Sequence, residues 1–334
     1  MPRVSIIVPT FNLARYIGRA LESVFGQTYT DYEVIVVDDG STDNTRDVLA
    51  LYAGKLRYYH QVNKGVAAAR NRGLTQATGE LIAYLDADDM WYPGKLERQV
   101  AFLDTYKQCR IVHSDTAVID EKDRVIYSRF NQQTKRAVPQ GQCLMTLLRH
   151  GHIEHLTVVE RRECVERTNG FDERLRGVDD YMRWVLLAIE GVEFGYIDEP
   201  LAMYRWRAGQ FSHTRPYRQT LVTMFELLLS EKGLQARCGR EAADLVRNQL
   251  YTVRRDLAYL DRTDGRSRDA RRQLLGLIRE WPFRAQLYVA LLKSVFPSRR
   301  SMTSGMSSDR QWKASSPADN TSISQEEPRR SLWR

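Results

Sequence analysis

Three carboxylates in four residues stand within the stretch "LIAYLDADDMWYP", where Asp86, Asp88 and Asp89 follow an apolar run and precede an aromatic pair and a proline. Like charges at that spacing repel, so folding by itself gives little reason to gather them. They are hard oxygen ligands suited to Mg²⁺ or Mn²⁺, with water and substrate phosphate filling the remaining positions. A helix cap near Pro93 would use one aspartate and leave the others unexplained. Two further acidic pairs invite chemistry. Asp38 and Asp39 in "VVDDGSTDNT" end an apolar run, where a carboxylate can accept hydrogen bonds from a base or ribose, or can cap a turn. Asp179 and Asp180 in "GVDDYMRWVLLA" open an apolar helix. The helix dipole alone favours acids there. A partly desolvated carboxylate beside another also has the raised pKa that a general base needs near neutral pH.

These groups need elements to hold them. "VSIIVP" and "YEVIVVDDG" are β-branched runs stopped by Pro or Asp-Gly, which suits strands buried on both faces of a parallel sheet. Between them "ARYIGRALESVFGQT" has Ile17, Leu21, Val24 and Phe25 at helical spacing. The unit repeats: "STDNTRDVLALYA" reads as a helix, "LRYYHQ" as a strand, "GVAAARNRGLTQA" as a helix and "ELIAYLDA" as a strand. Such alternation predicts a doubly wound, mostly parallel α/β sheet, with ligands outside the carboxyl ends of its strands. Asp38–Asp39 and Asp86–Asp89 then share one crevice. The helix between them brings Asn63, Gly65 and Arg70. Arg70 is either solvated or able to reach a diphosphate in bidentate geometry. No G-x-G-x-x-G accompanies these motifs, which argues against a Rossmann dinucleotide site.

Beyond residue 100 the pattern becomes irregular, with helices at "KLERQVAFLDTY" and "DDYMRWVLLAIEG" and strands at "CRIVHSDTAVID" and "RVIYSR". The 334 residues carry a formal charge of +8, much of it after residue 205 in "TVRRD", "DGRSRDARRQ" and "FPSRRS". The excess therefore reads as a surface or tail property, and no nucleic-acid partner is expected. The four cysteines are scattered without a C-x-x-C pair, which suggests neither zinc nor a disulfide framework. "VSIIV" is too short for a signal peptide core, and no run approaches the ~18 apolar residues of a membrane span. A cytoplasmic protein is the expectation.

"VSIIVPTFN", "VIVVDDGSTD", "NKGVAAARNRG", "GELIAYLDADD", "GFDERL" and "YRWRAGQFS", in this order over residues 3 to 212, resemble glycosyltransferase family 2. These are inverting enzymes whose nucleotide-sugar domain has the fold called GT-A. The resemblance implies a nucleotide-sugar donor, with a UDP-sugar the first choice, a saccharide or lipid-linked acceptor, and a divalent metal, Mn²⁺ or Mg²⁺. It implies that Pro9, Thr10 and Asn12 border the nucleotide, together with Asn63 and Gly65. Asp39 would bond the base with Asp38 in support, and Arg70 would approach the diphosphate. Asp86 and Asp88 fall at the two carboxylate positions of the D-x-D element, Asp88 chiefly on metal, Asp86 nearer the ribose, and Asp89 a contender. Asp180 takes the position of the catalytic base and Asp179 that of the usual preceding Glu. Arg207 stands where the family commonly has His. It cannot ligate a metal and can act only as a cation beside phosphates. The implied role is in bacterial cell-surface polysaccharide or glycolipid synthesis.

Two other classes stay open at the level of sequence. A haloacid-dehalogenase-type phosphohydrolase would use Asp86 as nucleophile, a pattern that Asp89-Met90 fits poorly. A non-catalytic nucleotide-sugar-binding protein would keep the pocket without turnover. The expected division is a glycosyltransferase domain over 1–212, with a donor half to 100 and an acceptor half beyond it, a helical extension over 213–297, and a disordered tail over 298–334. In the extension, "WPFRAQLYVALLKSVFPSRR" sets Phe283, Leu287, Leu291, Val295 and Phe296 in one apolar stripe flanked by cations. Packing on its own domain is the expected use, with contact at the inner membrane surface the alternative.

Overall fold

The computed structural model describes residues 1–150, 153–207, 210, 214–231 and 233–295, so the expected tail lies outside the described residues. The chain opens with β1 (Val4–Thr10), α1 (Ala14–Phe25), β2 (Tyr32–Asp38), α2 (Thr45–Ala50), β3 (Arg57–His60), α3 (Val66–Gln76) and β4 (Leu81–Tyr84). β5 (Met90–Trp91), α4 (Lys95–Thr105), β6 (Cys109–Ile119), β7 (Val125–Tyr127), α5 (Phe130–Thr134) and α6 (Leu144–His150) follow. After a 3₁₀ turn at His155–Thr157 come β8 (Val159–Arg161), α7 (Glu163–Thr168), α8 (Asp179–Ile189) and β9 (Glu193–Arg205). Four helices end the described chain: α9 (Arg215–Leu229), α10 (Leu234–Thr263), α11 (Ser267–Glu280) and α12 (Ala285–Val295).

The strands form one mixed sheet in the order β3-β2-β1-β4-β8-β6-β9-β5, with β7 on β6. The first four are parallel, as the alternating pattern predicts. Their buried side chains divide by parity. Val4, Ile6, Val8, Val34, Val36, Leu81 and Ala83 pack with α1 and α4, whereas Ile7, Ile35, Val37, Ile82 and Tyr84 pack with α3 and α8. This is the two-faced burial that makes the strands read as continuous apolar runs. Pro9 is tolerated because β4 stops pairing with β1 at Ile7↔Tyr84, so no ladder bond is lost beside it. Gly73 lets α3 lie directly on β1, since a Cβ there would come within 2.5 Å of the Ile7 Cγ2. Gly73→Ala is expected to lower stability by about 1–3 kcal/mol through overpacking, read as a drop in melting temperature.

The second half of the sheet departs from the repeat. β8 is antiparallel to both β4 and β6, and β9 runs parallel to β6. β9 contains Pro200, which faces Asp115 where the β6–β9 register shifts. A bulge is where a proline fits inside a sheet, and it also hides the strand from a reading that treats Pro as a stop. Met224, Phe225 and Leu228 of α9, with Val246 and Leu250 of α10, enter the same core as α3 and α8. The helical region thus shares the core of the sheet domain. Among the described residues no helix is long and apolar enough to cross a membrane.

Candidate active site

The carboxyl ends of β1, β2 and β4 meet the start of α8 and the end of β9, and the sequence-derived residues gather there. Asp86 to Asp89 form a turn closed by the Asp89 N–H on the Asp86 carbonyl (3.0 Å). Around that turn Asp86 and Asp88 remain partly exposed, while Ala87 and Asp89 are buried. The Oδ1 of Asp89 accepts the backbone N–H of Arg205 at 2.8 Å. Burial, with Asp88 and Asp86 alongside, pushes its pKa well up. Asp89 therefore fastens the turn to β9, and the crevice keeps Asp86 and Asp88. The β5–β9 pair, Met90↔Met203 and Trp91↔Ala202, sets that register.

Arg70 is turned inward, between the D-x-D turn and α8. It is 5% exposed. Its guanidinium donates to Asp179 Oδ2 at 2.6 Å and to Asp86 Oδ1 at 2.8 Å, and it sits over the Phe171 ring. Its fork ties α8 to the D-x-D turn. Arg207 is a second cation at the turn: its Nε donates to Asp88 Oδ2 at 2.7 Å while the side chain stays partly exposed. Burial raises the Asp88 pKa, and Arg207 opposes that rise.

The two residues that open α8 differ in environment. Asp179 is wholly buried, with Oδ1 lacking a partner among the described residues. Burial raises its pKa, and Arg70 draws it back. Asp180 is partly exposed and accepts only its neighbour's Tyr181 N–H, at 2.7 Å, among the hydrogen bonds described. Burial, then the Asp179 charge, pushes its pKa up to about 7. Two adjacent carboxylates thus have distinct tasks available, one locked to a cation and one facing the crevice.

The donor side is built from β1 and β2. Asp39 accepts Gln61 Nε2 (2.8 Å) and the Lys64 N–H (2.9 Å) on Oδ1, and the Gly65 N–H (2.8 Å) on Oδ2. That fills three of a carboxylate's roughly four acceptor positions. Gly65 needs its φ of 96° to point that N–H at Asp39 as α3 begins. Asp38 accepts the Ser41 N–H and the Tyr58 hydroxyl. Asn12, at φ 54°, accepts the Thr42 N–H at 2.8 Å and so ties the two loops together. Pro9 and Thr10 are buried, and the Thr10 hydroxyl has no partner among the described residues. Asn63 stands exposed at the rim.

Sequence reasoning missed the layer beneath. Glu160 on β8, wholly buried, pairs with Arg183 of α8 at 2.7 Å and accepts the Tyr84 hydroxyl. This bond holds α8 one turn after Asp180. Nothing local in "VVERR" signals it. Asn71 exchanges two hydrogen bonds with the Phe171 backbone, 2.8 and 2.9 Å, which fixes "GFDERL" to α3. Arg205, buried beside Asp89, donates to the carbonyls of Asp88 and Asp120. Of the "YRWRAGQFS" motif, residues 208, 209, 211 and 212 lie outside the described residues.

Two partly exposed carboxylates on one turn fit the way Mg²⁺ or Mn²⁺ is bound beside a diphosphate, by one or two side chains plus substrate oxygens. Among the described residues no three acidic, His or Cys side chains form a metal cage by themselves, so an ion at Asp86 and Asp88 would depend on donor phosphates.

A parallel nucleotide-type sheet, a D-x-D turn and a carboxylate pair opening the facing helix define the GT-A class of fold. The glycosyl transferase family 2 model matches residues 5–160. A Bacillus subtilis protein described as a candidate teichuronic acid biosynthesis glycosyltransferase, TuaG, is 32% identical over 212 residues, 61% of this chain and 79% of that one. The chain belongs to glycosyl transferase family 2. An uncharacterized glycosyltransferase of Nostoc sp. is 41% identical over 137 residues, 40% of this chain, and the chain spans only 42% of that relative's length. Among solved structures, TarS residues 1–349 of S. aureus in complex with UDP-GlcNAc gives a TM-score of 0.57 at 19% identity, covering 88% of both chains. A mannosyltransferase from Pyrobaculum calidifontis, solved with GDP-Man and Mn²⁺, gives 0.52 at 22% identity, covering 88% of this chain and 81% of that one. At such identities the likeness concerns the fold, and it runs past the family match into the helical region.

Proposed function

We propose that this crevice transfers a sugar from a nucleotide diphosphate donor to an acceptor hydroxyl with inversion at the anomeric carbon, and that Asp180 is the general base. The observation that carries this reading is the split between Asp179, locked to Arg70, and Asp180, open to the crevice with its pKa pushed up to about 7. Asp180 takes the acceptor proton as the acceptor oxygen attacks the anomeric carbon, and the carbon–oxygen bond to the diphosphate breaks on the opposite face. Arg70 and Glu160 hold α8 so that the base keeps its place. Thr10 and the remaining acceptor position of Asp39 receive the nucleoside. A divalent ion held by Asp88 and Asp86 would neutralise charge on the leaving diphosphate.

The donor is read as a UDP-sugar. TarS supports uridine and the Pyrobaculum enzyme guanosine, so UDP-GlcNAc and GDP-Man are the first arms of a thermal-shift screen with and without Mn²⁺. The likeness to TuaG supports a place in cell-surface polysaccharide synthesis, on a saccharide or lipid-linked acceptor at the cytoplasmic face. A melting shift that needs both nucleotide sugar and metal, followed by sugar transfer rather than hydrolysis alone, is the expected result. No shift with any nucleotide sugar would overturn the reading.

Two consequences follow for kinetics. A base must be deprotonated, so turnover at saturating donor should fall about tenfold per pH unit below about 7 and level off above it. A flat profile between pH 5 and 8 in that same assay, roughly the window of such a titration, would remove Asp180 from the role. Arg207 occupies Asp88 Oδ2, so Arg207→Ala should lower the Mn²⁺ concentration for half-maximal activity, by roughly three- to tenfold for a partly exposed pair. An unchanged metal titration would show that Asp88 is not the ligand.

A further inference from the structure

The last two helices carry an apolar surface that their own packing does not use. α12 buries Leu287 and packs Ala290 and Leu291 against Tyr251, Ala258, Leu274 and Leu277 of α10 and α11. The expected stripe breaks at its first member, because Phe283 is 98% exposed. Phe296 and the side chain of Val295 lie outside the described residues. A second apolar set, absent from the sequence reading, turns outward: Tyr288, Val289 and Leu292 are 44%, 50% and 66% exposed.

Cations are exposed on both helices. Arg268, Arg272, Leu275 and Arg279 recur at helical spacing along α11, and all four are exposed. Lys293 is exposed beside the outward residues of α12, while Arg284, just before the helix, is exposed but donates to Asn248 of α10. Between residues 267 and 295 there are six Arg and Lys against two Asp and Glu, a local excess of +4. One of the two acids, Glu280, is already held by Arg254 of α10.

We infer that this α11–α12 face docks on an anionic lipid surface, with Phe283, Tyr288, Val289 and Leu292 entering the headgroup layer and the cations lying over the phosphates. A few apolar side chains bordered by uncompensated cations have the composition of a helix that lies in a membrane interface. The dispersion of the cations along two helices favours a diffuse field of anions over a single acidic partner. The inference is independent of the chemistry in the crevice.

The test uses the full-length chain with vesicles of phosphatidylcholine alone and of phosphatidylcholine mixed with phosphatidylglycerol. Co-sedimentation should require the anionic lipid and fade as salt is raised. The Phe283→Ser/Leu292→Ser double variant should bind roughly tenfold more weakly or worse, with an unchanged circular dichroism spectrum and unchanged donor turnover. Arg279→Glu/Lys293→Glu should weaken binding without touching the apolar residues. Equal binding to both vesicles, no binding to either, or a double variant that binds like the parent overturns the inference. So does a chain that binds only after residues 299–334 are removed, which would make the tail the occupant. Concentration-dependent dimerisation, abolished by the double variant and without vesicle binding, would make it a second copy and would overturn the inference equally.

Discussion

Asp180→Asn should lower turnover by about 10²- to 10⁴-fold, the usual contribution of a general base, while donor affinity stays close to that of the parent. The amide has nearly the same shape and can still accept the Tyr181 N–H at the start of α8. What it cannot do is take a proton. The variant should also lose the titration near 7, leaving any residual rate independent of pH in that range. Calorimetric donor binding and single-turnover transfer, measured on the same preparation, separate the two effects. Parental turnover in the variant would end the assignment. Loss of donor binding together with turnover would mean that the substitution disturbed Arg70 and the D-x-D turn.

Arg70→Met should cost about 3–5 kcal/mol of stability, because it leaves a buried charge without its partner. Arg70 is the sole cation shown bonded to Asp179 among the described residues, and Asp179 is wholly buried. For a chain of this size the melting temperature should fall by about 4–7 °C. The sign of its pH dependence is fixed. Without Arg70 the folded Asp179 pKa rises further above its unfolded value, so the folded state binds the extra proton and the variant is penalised least at low pH. The deficit should therefore grow from pH 5 towards pH 8. Arg70→Met/Asp179→Asn, which removes the orphaned charge, should recover part of the loss at pH 8. A deficit indifferent to pH, or no recovery in the pair, would show that Arg70 contributes by packing on Phe171.

Much of the parallel half of the sheet was legible in the sequence because each buried strand is a continuous β-branched run and each helix has its own period. β1 to β4 and α1 to α3 fall where the pattern predicts. The second half was not legible in the same way. β8 is three residues long, and Pro200 sits at a bulge within β9, so neither gives a local strand signal. The site divides along the same line. Asp86, Asp88, Asp179 and Asp180 could be singled out as acids at element ends, since like charges gathered there need an explanation beyond folding. Their partners could not. Arg70 and Asp179 are 109 residues apart, Asp88 and Arg207 are 119 apart, and no periodicity reaches across such loops.

The sequence by itself determined the order of strands and helices in the donor half, the family, and the presence of acidic residues after β4 and at the start of α8. The tertiary structure decided what each charge touches: Arg70 bound inward between two aspartates, Asp89 fastened to β9, Arg207 on Asp88, and an exposed apolar face on α12 where one packed stripe was expected. The physical reason is one of range. Hydrophobic period and turn chemistry act within a few residues and are written along the chain, whereas burial, and the ion pairs that burial makes strong, depend on which distant segments the folded sheet brings together.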